Sequence, residues 1–293
     1  MSAHTLARPA LAPLVELLKP ITWFAPMWAF GCGVVSAGAA PDRRWPLIVA
    51  GVVLCGPLVC GTSQVVNDWF DREVDALNEP QRPIPSGRVP GHWALALAGA
   101  WSALSLILGA LLGPFALAAT VAGLVLAWIY SAPPLRLKLN GWWGNAAVAS
   151  CYEGLPWITG AAVAAGGAPG GRIMALAALY SVGAHGIMTL NDFKSVAGDR
   201  ALGIRSLPAQ LGVARAARVA CAVMAAPQIV VVALLLHWQR PLGAGAVAAL
   251  LIAQVLLMVR LLRAPRDRAP WYNATGTSLY VLGMLVAALT VPA

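Results

Sequence analysis

Charge is scarce in this sequence. Asp, Glu, Lys and Arg make up 11% of its 293 residues and 59% are hydrophobic, whereas a soluble domain of that length carries roughly twice the charged share. With a mean hydropathy of +0.74, an ordinary water-soluble globule is excluded. Cysteine is also sparse. The five residues (Cys32, Cys55, Cys60, Cys151, Cys221) all sit in apolar stretches without metal-like spacing, so they read as small packing residues. The net charge of +9 comes without a Lys/Arg-rich patch interleaved with exposed aromatics, which argues against a nucleic-acid partner. No Ser-His-Asp or Cys-His constellation is evident.

What is present is a series of apolar runs of about 20 residues, the length a helix needs to cross about 30 Å of hydrocarbon. Nine candidate spans fall near 21–40, 46–66, 93–112, 115–132, 144–165, 173–190, 213–236, 243–262 and 272–290. The fold class is therefore an all-α polytopic membrane protein, because lipid-exposed backbone must satisfy its own hydrogen bonds. With the N-terminus in the cytoplasm, sixteen of the twenty Lys and Arg lie on the inner side, and only Arg43, Arg44, Arg172 and Arg240 lie opposite. That asymmetry obeys the positive-inside rule. "SAGAAPD" resembles a signal-peptide cleavage site, but the apolar run before it is long and interrupted by Pro26, so a retained helix is expected. A cytoplasmic segment over 1–20 followed by one membrane domain over 21–293 accounts for the chain.

Five of the eleven acidic residues (Asp68, Asp71, Glu73, Asp75, Glu79) crowd into "VVNDWFDREVDALNEPQRPIPSGRVP" at the end of the second span. Continued as a helix, Asn67, Asp68, Asp71 and Asp75 share one face and Glu73 points away. Successive carboxylates at i and i+4 then rise about 6 Å along the axis, a spacing suited to oxygens converging on a cation. The sixth span ends similarly, in Asn191-Asp192-x-x-Ser195-x-x-x-Asp199. Four spans separate the motifs, so both emerge on one face, as in membrane proteins built from two related halves. Carboxylates this dense need a cation or Arg nearby, and Arg82, Arg88, Arg136, Lys138, Lys194 and Arg205 are close in sequence. Mg²⁺ is commonly held by one or two carboxylates plus substrate phosphates. Facing Asp stripes ringed by basic residues therefore suit a Mg²⁺-bridged diphosphate. A charge-balanced rim and ion-coupled transport are the competing readings.

"NDWFDREVD", "RPIPSGRVP", "YSAPPLRLK" and "NDFKSVAGDRALGIRSLP" resemble the UbiA superfamily of intramembrane prenyltransferases. Within it, "ELLKPITWFAPMWAF", "EGLPWITGA" and "NDFKSVAGDRALGIRSLPAQLG" are similar to chlorophyll and bacteriochlorophyll synthases. The resemblance implies a nine-helix bundle around a central cavity, capped by cytoplasmic loops 67–91 and 191–212. It further implies a Mg²⁺-dependent transfer of a geranylgeranyl or phytyl group to the propionate of (bacterio)chlorophyllide, in a bacterial inner or intracytoplasmic photosynthetic membrane. Membrane lipid would surround it, and other pigment-biosynthesis or assembly proteins are candidate partners. Carried over by position, Asn67, Asp71 and Asp75 would hold one metal–diphosphate contact with Asp68 beside them, and Asp192 and Asp199 the second. The metal set is then Asp68, Asp71, Asp75, Asp192 and Asp199. Arg82, Tyr130, Lys138 and Arg205 match positions expected near the diphosphate, with Lys194 added. Ser195 stands where many members have an acidic residue, and Ala197 where such synthases often carry Glu.

An ionised propionate needs no general base, since a carboxyl pKa near 4 to 5 leaves it an anion at neutral pH. Flat surface for a macrocycle is available on Trp69, Trp142, Trp143 and Trp157, although interfacial anchoring is the commoner use of Trp. His185 is a candidate ligand for the pigment's magnesium or a satisfied interior residue. Glu153 lies within a span and so is a functional candidate, orienting the acceptor or a basic partner. Two rivals stay open: an aromatic or quinone-precursor acceptor, and a non-catalytic cation-coupled transporter or pigment carrier.

Overall fold

The computed structural model describes residues 8–38 and 44–291. Arg43 and most of the "SAGAAPD" stretch lie outside the described residues, as does the start of the N-terminal segment. Among the described residues the regular elements are helices: α1 (Leu11–Leu18), α2 (Phe24–Ser36), α3 (Trp45–Asn78), α4 (Trp93–Leu112), α5 (Pro114–Ser131), α6 (141–165), α7 (Gly171–Asn191), α8 (Val196–Ala201), α9 (Leu207–Leu211), α10 (Val213–His237), α11 (Pro241–Arg263) and α12 (Pro265–Thr290). Seven of these (α3, α4, α5, α7, α10, α11 and α12) are long and apolar enough to cross a membrane. The other two expected spans are helical as well. One is the short α2, and the other is α6, whose polar residues and mid-helix irregularity dilute its hydropathy.

The second span continues without a break to Asn78, so the first acidic motif is the extension of a membrane helix rather than a loop. Both α3 and α6 widen to π-type turns, over Leu54–Cys60 and Ser150–Gly154. Pro57 lies inside the first, and Pro156 follows the second after Leu155. Proline lacks an N–H and clashes with the carbonyl four residues back, and a widened turn relieves both problems.

Small residues set the packing. A Cβ at Gly33 of α2 would collide with the Trp157 carbonyl of α6, and one at Gly160 of α6 with the Phe30 carbonyl of α2. Backbones that approach this closely gain dispersion contacts, the main source of helix association in lipid. The largest core joins α2, α6, α7, α10, α11 and α12 around Trp157, Tyr180, Met224 and Tyr280. Gln228 and Gln254 exchange side-chain hydrogen bonds between α10 and α11 at 3.2 and 3.0 Å, which satisfies two amides buried in an apolar interior. A second core seats α1 (Leu17, Leu18) against Val65 and Val66 of α3, Val89 of the following loop, and Ala94 and Ala98 of α4. This core brings the N-terminal segment beside the first acidic motif.

Candidate functional site

Two cavities meet inside the bundle. The polar one, about 470 Å³, is lined by Asn67, Asp71 and Asp75 from α3, Arg136 and Lys138 from the α5–α6 loop, and Asp192, Asp199 and Ser206 from the chain after α7. The narrower one, about 250 Å³, runs inward past Leu126, Ala127, Val148 and Met188. Asn67, Tyr130, Asn145 and Asp192 belong to both walls. The two acidic helix ends therefore share a single chamber, whose floor leads into an apolar passage.

The first motif is partnered by cations. Lys138 Nζ donates to Asp71 Oδ1 at 2.5 Å, and Asn67 Nδ2 donates to Asp71 Oδ2 at 3.1 Å and to Ser131 Oγ at 3.2 Å. Burial holds the Lys138 ammonium below the ordinary lysine range, opposed by its bond to Asp71. Arg82 Nη1 donates to Asp75 Oδ2 at 2.9 Å, and Arg82 also pairs with Glu79.

Asp68 stands apart from the other aspartates of the expected metal set. Only 2% exposed, it lines neither cavity. Its Oδ1 accepts from Lys19 Nζ at 2.6 Å and from Arg82 Nη1 at 3.4 Å. Asp68 lies within about 20° of Asp75 around the helix but about 10 Å back along its axis, where Lys19 of the N-terminal segment covers it.

The second motif is partnered by hydroxyls. Asp199 Oδ2 accepts from Ser195 Oγ at 3.0 Å and from Ser206 Oγ at 2.5 Å. Ser195 thus orients a carboxylate instead of contributing one. Among the described residues, neither Asp192 nor Asp199 has a Lys, Arg or His within ion-pair distance. Two carboxylates without a cation face Asp71 and Asp75 across the chamber, and that donor set suits a hard divalent ion. Among the described residues, no three His, Cys, Asp or Glu side chains form a ready-made cage. Mg²⁺ takes few protein ligands and completes its shell with phosphate and water.

The other expected residues divide. Tyr130 and Lys138 line the chamber. Arg205 does not: its side chain is exposed, and its backbone forms a parallel bridge with the α5–α6 loop. Gly141 N–H donates to Arg205 O at 2.8 Å and Arg205 N–H to Leu139 O at 2.9 Å. Extended backbone alternates its side chains, so Ile204 and Ser206 face inward and Arg205 outward. Lys194 is exposed, and Arg82 is spent on Asp75, Asp68 and Glu79. Trp157 is fully buried, stacked on Tyr180 at 5.6 Å and donating Nε1–H to Ser36 Oγ at 3.0 Å. It packs the core and touches neither cavity. Glu153 is buried in the α6 π-turn with Oε2 unpartnered, also off both walls. Its neighbour Tyr152 does reach the passage, accepting from Gln64 Nε2 at 3.1 Å. Trp69 lies under the Arg72 guanidinium, 4.6 Å from the ring centroid. Asn145 and Ser206 were not foreseen as site residues, and Arg136 was foreseen only as a charge nearby; all three line the chamber, whereas Lys19, also unforeseen, pairs with Asp68 away from it.

Residues 24–289 match the model of the UbiA prenyltransferase family. The chain belongs to that family. It is 56% identical to the bacteriochlorophyll synthase 33 kDa chain of Cereibacter sphaeroides, over 99% of this chain and 96% of that one. Identity to the chloroplastic chlorophyll synthase of Oryza sativa subsp. japonica is 40%, over 94% of this chain and 75% of that one. The fold matches a UbiA homolog from Archaeoglobus fulgidus bound to GPP and Mg²⁺, with a TM-score of 0.72 at 18% identity, covering 96% of this chain and 100% of that one. UbiA membership makes the chain an integral membrane prenyltransferase and removes the transporter and carrier readings.

Proposed function

We propose that this UbiA prenyltransferase esterifies the propionate of bacteriochlorophyllide with a geranylgeranyl or phytyl group from the prenyl diphosphate, using Mg²⁺. The observation that carries the reading is the shared chamber: Asp71, Asp75, Asp192 and Asp199 on one polar cavity that opens at Asn67 and Tyr130 into an apolar passage. The identity to a bacteriochlorophyll synthase, well above that to a plant chlorophyll synthase, supports the bacteriochlorin over the chlorin. A bacterial inner or intracytoplasmic photosynthetic membrane is the corresponding location, with 21–293 acting as one catalytic domain.

In this scheme the prenyl C1–O bond breaks, the diphosphate departs with the electron pair, and a propionate oxygen bonds to C1. No proton is released, because the carboxylate is already ionised. The four aspartates would hold Mg²⁺, which supplies positive charge for the departing oxygens. Lys138 and Arg136 add fixed charge beside them, preorganised and part-buried, where such charge counts for more than in water. Lys138 does so by exchanging part of its contact with Asp71 for the diphosphate. Leu126, Ala127, Val148 and Met188 keep water from the allylic cation. Asn67, tied to Asp71 and Ser131, fixes the junction where the reacting carbon lies. Purified protein given mixed acceptors and diphosphates, with products identified by mass, tests the reading. Prenylated bacteriochlorophyllide supports it, and prenylated hydroxybenzoate or no prenylated pigment contradicts it.

A further inference from the structure

We infer a second pigment site, outside the reaction chamber, that holds a magnesium tetrapyrrole through His185. It rests on the acceptor class proposed above. Between α6, α7 and α10 lies an apolar slot of about 430 Å³, lined by Trp142, Trp143, Ala146, His185 and Val223 among others. The α6 helix divides it from the chamber. Ala146, Ala149 and Ser150 face the slot, whereas Ala147, Val148 and Cys151 face the passage. The slot is therefore a station beside the active site and not part of it.

Its chemistry is selective. Two hydroxyls, Ser150 and Ser181, lie on the wall, and Ser150 already donates to the Ala146 carbonyl at 2.8 Å. The imidazole is different. His185 Nε2 lies 3.2 Å from the Trp142 carbonyl oxygen. A carbonyl can only accept, so Nε2 carries the hydrogen and the neutral ring keeps its lone pair on Nδ1. A histidine whose other nitrogen donates to a backbone carbonyl is in the tautomer that binds metal, with its ring orientation fixed. The Trp142 ring stands 5.7 Å from the imidazole, tilted 33°. Trp142 and Trp143 are 43% and 66% exposed, which leaves indole surface free at the mouth. An imidazole amid flat aromatic surface complements a flat apolar macrocycle with a Lewis-acidic magnesium at its centre. A lipid chain would satisfy the apolar wall but not the imidazole.

The test is visible-absorption titration of the purified full chain with magnesium bacteriochlorophyllide and, separately, with its metal-free counterpart. Wild-type protein is expected to show a bound population with an axial-coordination band shift for the magnesium pigment only. His185→Ala should weaken that population at least about tenfold, leave metal-free pigment binding unchanged, and regain the shift when free imidazole is supplied. An unaltered shift in His185→Ala, no shift in wild type, or failure of imidazole to restore it overturns the site. Prenyl transfer measured on the same wild-type sample separates the two claims. Product without a His185-dependent shift refutes the slot alone, and absence of product refutes the acceptor reading.

Discussion

Lys19, in a left-handed backbone conformation with φ 45°, extends its ammonium to Asp68 at 2.6 Å across 49 residues of sequence. With Arg82 on the same oxygen, and Arg88 gripping Glu16 through two bonds of 2.6 and 2.9 Å, the N-terminal segment straps down the loop after α3. We therefore propose a positioning role for Asp68 in place of a metal-ligand role. Asp68→Asn should lower thermal stability by about 1–2 kcal/mol, a discounted buried-pair loss because Lys19 and Arg82 remain partly exposed. Titrating activity with Mg²⁺ checks the role: an unchanged half-saturating concentration is expected, and a large rise would return Asp68 to the metal set.

Asp71→Asn and Asp75→Asn should reduce turnover to background while the protein still inserts and remains folded. Both face the chamber, and their substitution removes carboxylate oxygens that would hold Mg²⁺ where the diphosphate leaves. Radiolabelled prenyl transfer by membranes, normalised to inserted protein, is the measurement. Near-normal rates would refute the assignment.

Ser206→Ala removes one of the two hydroxyls that orient Asp199. Activity should drop about tenfold, as for other lost partners of a metal-binding carboxylate. Higher Mg²⁺ should recover part of it, and a Mg²⁺ titration of initial rates reads this directly.

Gly33→Val drives a side chain into the Trp157 carbonyl, where no flexible atom can yield. A loss of about 3 kcal/mol is expected from such overpacking. Gly31→Ala, with nothing within 4 Å of the added Cβ, should be near neutral. Melting of the detergent-purified variants compares them.

Much of this was legible in the sequence because carboxylates are rare in it. Against an apolar background, two spaced Asp motifs stand out, and helical periodicity places Asp71 and Asp75 together on a wall. Seven of the nine expected spans are long and apolar enough to cross a membrane, whereas the length of α3 and its π-turn were not legible, since Pro57 reads equally as a kink or a break. Direction was harder to read. Asp68 shares the helix face of Asp75, and the partner that sets it apart, Lys19, is distant in sequence. Arg205 looked like a diphosphate contact until strand alternation turned it outward. Trp157 and Glu153 sit in a motif whose tight packing against α2 depends on glycines, and composition does not distinguish a core aromatic from a cavity wall.

Chelation of divalent ions during prenyl transfer by purified protein asks whether the reaction runs without Mg²⁺. The rate should fall to background when Mg²⁺ is removed and return on its readdition, with prenylated bacteriochlorophyllide as the product. A rate that persists in the chelated sample would contradict a Mg²⁺-dependent reaction.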